Sequence, residues 1–254
     1  MAIVSHKHKF IFLKTRKTAS SSLEIAIGQT CGPEDCLCPT GDGKEFGIVE
    51  QNNQKRLREL SLHDLAQFST RLFKDIRKTG RPNLNRSLKK LTGYIKSAHA
   101  NAKEMREICG EDIWNNYHKF CFERNPFDRL VSLYHWRTRK LEHKPSFKEF
   151  ALKVAKKHQS KGSRIGSEDF WTNRPYYEID GQLVVDRVCR FENLEQEIEE
   201  FFRLIGVPWD GTLPHMKGGY RPQKRNYREY YDSELQELFE EIFAYEIKVL
   251  GYSF

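Results

Sequence analysis

The sequence predicts an α/β fold: a single domain over residues 1–254, built on a short central parallel β-sheet flanked by helices. Two observations carry this. Strand-like runs at residues 10–13, 117–123 and 183–191 each lead into a stretch that can open a helix, so strands and helices alternate. A length of 254 residues suits one such domain, or at most two small ones, and 38% hydrophobic residues with 17 Phe are enough to fill its core. In folds of this kind, ligands bind across the C-terminal ends of the strands.

Residues 9–24, KFIFLKTRKTASSSLE, hold the first strand-to-helix transition. Phe10, Ile11, Phe12 and Leu13 are the apolar run; residues 14–22 are small, hydroxylated or basic; Leu23, Ile25, Ala26 and Ile27 begin a helix. The first N–H groups of a helix have no partner within it, and its dipole favours negative charge there. A small-residue loop ending in such a terminus is a natural anion site. Ala19, Ser20, Ser21 and Ser22 let an oxyanion reach the backbone, and Lys17 sets a mobile positive charge beside it. The loop differs from G-x-x-x-x-G-K-[ST], because it has no glycine and its lysine precedes the small residues. The competing reading is a solvated, serine-rich turn with surface lysines.

Residues 28–47 gather Gly, Pro, Cys and Asp and read as an irregular loop over the site. Cys31, Cys36 and Cys38 lie there without a well-spaced fourth ligand, so loop thiols or a local disulfide are favoured over a zinc site. Cys121 and Cys189 fall inside strands as small buried hydrophobes. Residues 61–78 predict a helix with Leu62, Leu65, Phe68, Leu72 and Ile76 on one stripe and Ser61 as its cap. Residues 71–90 are densely basic, either a solvated face or a docking surface for an acidic acceptor. A helix starting at Ser97 or Ala98 would turn Ala102, Met105 and Ile108 inward and stop at Gly110, with His99 at its start. Residues 117–123 alternate as a core strand. Asn125 then caps a helix that has Pro126 in first position and runs on through Leu130, Val131, Tyr134 and Trp136.

This last transition, FCFERNPFDRLVSLYHW at residues 120–136, is the second motif. At this point the chain resembles the sulfotransferase superfamily, enzymes that use 3′-phosphoadenosine 5′-phosphosulfate. Lys17-Thr18-Ala19-Ser20-Ser21-Ser22-Leu23 is similar to that family's 5′-phosphosulfate loop, K-T-[AG]-G-T-S-L, with Ser20 where glycine is usual. Arg124-Asn125-Pro126 followed by Ser132 is similar to its 3′-phosphate motif, an R-[DN]-P with a serine eight positions after the arginine. Carbohydrate (family 2-like) and short bacterial sulfotransferases look closest. The resemblance covers residues 31–90 poorly, and that stretch reads as a family-divergent, partly helical insertion.

The resemblance implies a P-loop-like sulfotransferase fold that takes 3′-phosphoadenosine 5′-phosphosulfate as donor and releases adenosine 3′,5′-bisphosphate. It implies a hydroxyl-bearing acceptor, a saccharide or glycolipid before other classes, and requires no metal. Lys17, Thr18, Ala19, Ser20, Ser21 and Ser22 would hold the 5′ end, with Lys17 also catalytic, while Arg124 and Ser132 would hold the 3′-phosphate. For Arg124 the alternative is an ion pair with Asp128 or Glu123. His99 matches the place of the family's general base, and an imidazole is suited to take a hydroxyl proton near neutral pH. The alternative is a capping or surface histidine, with His118 or Glu123 as rival bases.

Residues 146–157 predict an amphipathic helix, 159–166 a basic loop, and the aromatics at 170–177 either stack a ligand or pack. Asp180-Gly181 marks a turn before the strand at 183–191. Phe191-Glu192-Asn193-Leu194, similar to the family's R-[FY]-E-[ND]-L stretch, hands that strand to a helix ended by Gly206. Arg221, Lys224 and Arg225 stand where related enzymes fold a basic loop over the nucleotide, and are expected as secondary donor contacts. Residues 232–250 predict one long helix with Leu235, Leu238, Phe239, Ile242, Phe243, Ile247 and Leu250 on its sheet-facing side.

Charge and targeting signals bound the function. A net charge of +8 favours polyanionic partners: nucleotide phosphates, acidic glycans or nucleic acid. No stretch has the apolar length of a membrane span, and MAIVSHKHKF lacks the apolar core of a signal peptide; a complete, cytoplasmic chain without an anchor is expected. Three other readings stand beside sulfuryl transfer: a P-loop kinase or NTPase, a basic nucleic-acid-binding protein, and a catalytically silent binder of the nucleotide.

Overall fold

The computed structural model describes residues 2–38, 43–53, 60–84, 87–88, 91, 95, 99–161, 170–214, 216 and 225–254. Its strands are β1 (Ala2–Ser5), β2 (Phe10–Phe12), β3 (Cys36–Cys38), β4 (His118–Glu123), β5 (Glu178–Ile179), β6 (Gln182–Leu183) and β7 (Arg187–Arg190). Five of them form one sheet in the order β3-β1-β2-β4-β7, and β5 with β6 makes a separate hairpin. The neighbours β2, β4 and β7 run parallel, whereas β1 runs against both β2 and β3. The sheet is therefore mostly parallel, as expected, with one reversed strand.

Alternation along the strands fills both faces of the sheet. Phe10, Phe12, Phe120 and Phe122 point to one side, where α1 (Ser20–Gly28) supplies Leu23 and Ile27. Ile11, Leu13 and Cys121 point to the other, against Met105, Trp114 and Tyr177. Further helices are α2 (Leu62–Thr79), α3 (Ala102–Asn116), α4 (Pro126–Thr138), α5 (Phe147–Lys161), α6 (Leu194–Leu204), α7 (Ser233–Ile242) and α8 (Ala244–Leu250). From α6, Phe201 stacks on Phe120 with ring centroids 3.5 Å apart.

Three short strands, β1, β3 and β5, were not among those expected, and the strand expected at 183–191 divides into β6 and β7, which belong to different sheets. β1 is only AIVS, but all four residues are buried, and Lys9 turns the chain back with φ 54°. β3 lies within residues 28–47, so that part of the stretch completes a sheet edge rather than arching over a site. Asp35 ties the two together. Its carboxylate accepts from the Ser5 hydroxyl at 2.8 Å and from the N–H groups of His6 at 2.7 Å, Lys7 at 3.0 Å and Gly32 at 2.8 Å. The β5–β6 turn does follow the sequence: Asp180 and Gly181 both have positive φ, 51° and 84°, as a two-residue hairpin turn of the I′ type demands.

Helix boundaries bring further corrections. Gly110, with φ 76° and ψ 163°, does end the first part of α3 as expected, but helix resumes directly after it, so the span is two helical segments meeting at a kink. The helix expected over residues 232–250 is two helices meeting at Phe243. α7 packs through Leu235 and Phe239 on Phe127, Leu130 and Val131 of α4 and on Ala151 of α5, so it covers helices rather than the sheet. Helix α2 keeps its Ser61 cap, but its apolar stripe lies largely in solvent, with Leu62 87% and Ile76 44% exposed.

All six cysteines are free. Burial pushes the thiols of Cys31 and Cys36 up to about 12, so neither is a thiolate at neutral pH. Among the described residues no group of three or more His, Cys, Asp or Glu side chains could hold a metal ion, and no helix is long and apolar enough to cross a membrane.

Candidate active site

The residues that directly follow the three parallel strands line one cleft of about 750 Å³: Lys14, Arg16 and Lys17 after β2, Arg124 after β4, and Phe191 to Gln196 after β7. Parallel strands end at the same edge of a sheet, so their outgoing loops must converge there.

The loop after β2 is held from below. The Leu13 N–H donates to the Phe120 carbonyl at 2.9 Å, and the Thr15 hydroxyl donates to the Phe122 carbonyl. Lys14 turns its ammonium into the interior, 2.5 Å from Glu24 of α1, and both side chains are buried. Lys17 and Ala19 then adopt left-handed backbone with φ 65° and 52°, a conformation costly for any residue with a Cβ. α1 starts at Ser20 with no side-chain cap. Ala19, Ser20, Ser21 and Ser22 line the cleft at this terminus, where the helix dipole and backbone N–H groups favour an anion. Thr18 departs from expectation: it is buried, and its hydroxyl lies 2.9 Å from that of Thr15, so its side chain braces the loop and does not face the cleft.

On the far wall, Asn125 caps α4, its side-chain oxygen accepting from the Phe127 N–H at 3.1 Å, with Pro126 in the first turn. Arg124 and Ser132 both line the cleft. The Arg124 guanidinium donates to Asp128 at 2.9 and 2.6 Å and lies 4.4 Å above the Phe191 ring. The ion pair set against a binding role is thus present, and it orients the arginine within the cleft rather than withdrawing it.

His99 lines the same cleft, two residues before Asn101, which caps α3. Its Nδ1 lies 2.9 Å from the Lys14 carbonyl. A carbonyl only accepts, so Nδ1 carries the proton, and in the neutral ring Nε2 is the acceptor. Burial, and then the nearby charges of Arg16 and Lys14, hold its pKa well below the ordinary histidine value. The ring is neutral at neutral pH. Neither rival base reaches the cleft. His118 is exposed at the opposite end of β4, its N–H on the Lys9 carbonyl. Glu123 is fully buried behind the loop, and burial pushes its carboxyl up to about 7 despite Arg129 at 3.4 Å.

Sequence reasoning missed several lining residues. Lys14, Arg16 and Trp136 line the cleft as well; Trp136 joins Phe170, one of the aromatics expected to stack a ligand or pack, in an aromatic wall, with the Arg16 guanidinium 4.2 Å above Phe170 and the Lys17 ammonium 5.6 Å above Trp136. The motif at residues 191–194 carries no ligand contact in the sequence reading, yet all four residues line the cleft. Arg225 does not line it: this side chain pairs with Glu229 at 2.8 Å and covers Tyr230. Arg221 and Lys224 lie outside the described residues.

Comparison with known proteins adds to this geometry. An uncharacterized protein from Archaeoglobus fulgidus is 30% identical over 108 residues, which span 41% of this chain and 80% of that one. The crystal structure of a sulfotransferase from Alicyclobacillus acidocaldarius aligns over 96% of both chains, with 17% identity and a TM-score of 0.42. The model of the sulfotransferase family matches residues 1–253, and this chain belongs to that family.

Proposed function

We propose that the protein transfers the sulfuryl group of 3′-phosphoadenosine 5′-phosphosulfate to an acceptor hydroxyl, with His99 as general base and a saccharide as acceptor. One observation carries the reading: a single cleft gathers the residues 17–22 loop, His99, Arg124 and Ser132 from three separate stretches of chain. The residues present fit the donor, since the cleft has an anion-favouring helix terminus at one end and an arginine with a serine on the facing wall.

The bound donor supplies an activated sulfuryl group on its 5′-phosphate. Lys17 and the N-terminus of α1 hold that end and stabilise the negative charge that grows on the bridging oxygen as the S–O bond breaks. Arg124 and Ser132 hold the 3′-phosphate and so fix the donor's register. Nε2 of His99 takes the proton from the acceptor hydroxyl, while the Lys14 carbonyl keeps the ring in the required tautomer. Trp136 and Phe170 beside these groups support a saccharide, whose apolar ring face stacks on aromatic side chains.

Calorimetric titration tests the donor assignment. Adenosine 3′,5′-bisphosphate should bind at least about tenfold more tightly than adenosine 5′-phosphate, the effect of roughly one charge-assisted contact. Equal affinity for the two would remove Arg124 and Ser132 from the donor site.

A further inference from the structure

The donor loop contains no glycine, yet Lys17 and Ala19 both sit at positive φ. Something outside the loop must impose that shape. The group best placed to do so is Asn173, fully buried and far away in sequence. Its side-chain oxygen accepts from the Arg16 N–H at 2.9 Å, and its side-chain nitrogen donates back to the Arg16 carbonyl at 3.1 Å. One carboxamide thus pairs with both backbone groups of the residue that precedes Lys17, as an adjacent strand would.

The same nitrogen also donates to Oε1 of Glu123 at 2.9 Å, and that oxygen accepts from the backbone N–H of Arg124 at 2.8 Å. Asn173 therefore bridges the residue before Lys17 to the residue before Arg124. These are the backbones that carry the two ends of the proposed donor site. No strand hydrogen bond does this, because the ladder between β2 and β4 stops short of both.

We propose that Asn173 is a positioning residue that fixes the spacing and orientation of Lys17 relative to Arg124, and so sets how well both ends of one nucleotide are held at once. The inference rests on the reading of Lys17 and Arg124 as donor contacts. Only an amide of this length fits the role: an aspartate keeps the acceptor for the Arg16 N–H but loses both donations and places a second carboxylate against Glu123.

The test compares wild type with Asn173→Ala and the isosteric Asn173→Asp, each titrated calorimetrically with adenosine 3′,5′-bisphosphate and adenosine 5′-phosphate. Both ligands sample the same folded population, so loss of fold alone leaves the ratio of affinities unchanged. A lost bridge lowers the ratio itself, because the second phosphate no longer meets an arginine in register. We expect the preference for the bisphosphate to fall about tenfold in each variant, which is ~1.4 kcal/mol of lost coupling. A folded variant of either kind that keeps the wild-type preference within about threefold (~0.65 kcal/mol) overturns the role of Asn173. If wild type itself shows no preference, the donor reading has failed instead, and the two failures are told apart.

Discussion

Replacing His99 with asparagine separates proton transfer from everything else the cleft does. The asparagine amide nitrogen lies close to the position of Nδ1, so it can still donate to the Lys14 carbonyl that His99 reaches at 2.9 Å. What is lost is Nε2, the acceptor. A positioned general base contributes about 10²–10⁴ in rate, which corresponds to ~3–5.5 kcal/mol of barrier. His99→Asn should therefore lower kcat by about 10²–10⁴ and leave the affinity for adenosine 3′,5′-bisphosphate within about threefold, since no donor contact is assigned to the ring. The assay is transfer of labelled sulfonate to a saccharide acceptor at saturating donor, beside a calorimetric titration of the same protein. The pH profile gives a second reading. Burial and neighbouring cations keep the imidazole pKa well below the ordinary histidine value of 6.5, so wild-type turnover should not lose its base as pH falls through that value, and the acid limb should lie lower. The stability contribution has the matching sign: the buried neutral ring resists protonation, so stability is present above 6.5 and declines as pH falls below it. A variant with kcat within tenfold of wild type would refute the assignment. So would a loss of nucleotide binding as large as the loss of rate.

Lys17→Ala should reduce kcat by about 10²–10³, the usual effect of deleting one group that stabilises charge in the transition state; unchanged turnover would reassign the charge to Arg16. Arg124→Ala should weaken adenosine 3′,5′-bisphosphate by ~1.5–3 kcal/mol while leaving adenosine 5′-phosphate almost unaffected; equal weakening of both would mean that the arginine supports the cleft without touching the 3′-phosphate. Glu123, with its carboxyl pushed to about 7 by burial, stabilises the fold fully only below the ordinary carboxylate pKa, and that contribution is lost as pH rises toward 7. Glu123→Gln should therefore flatten the fall of Tm between about pH 5 and 8, measured by calorimetric melting; a slope identical to wild type would place the titration elsewhere. Phe201→Ala removes a ring stacked in the centre of the sheet's Phe cluster and should cost about 3–5 kcal/mol, a drop in Tm of roughly 6–20 °C.

What could be read in the sequence was what local chemistry determines. The loop at 17–22, Asn125 as a cap, the Asp180-Gly181 turn and Ser61 each follow from a short stretch whose residue types admit few conformations. β1 and β3 escaped because four and three residues are too few to show a period, and both are stabilised by pairing and by Asp35 rather than by propensity. The division of the C-terminal helix at Phe243 leaves no trace in a stripe of apolar residues that continues across it. In the site, Lys17, Arg124, Ser132 and His99 were legible because their motifs are local or resemble a known family. Lys14, Arg16 and Trp136 were not, since nothing but the convergence of three strand ends brings them to one cleft. The Thr18 side chain turns away from the cleft, which a motif does not show, because it gives the order of residues and not the direction of each side chain.

The position of β2 in the sheet has a consequence for how the chain reaches this structure. Its hairpin partner β1 precedes it at once and β3 follows at Cys36–Cys38, so that side of the sheet is assembled from early chain. Its other neighbour is β4, His118–Glu123, and β4 must then wait for Arg187–Arg190. During synthesis from the N-terminus, β2 therefore presents an open edge of backbone donors and acceptors until more than a hundred further residues have emerged. Parallel pairing over such separations closes slowly. The Lys7 and Lys9 side chains, at the turn beside that edge, give nascent chains like charges that discourage edge-to-edge association during the wait.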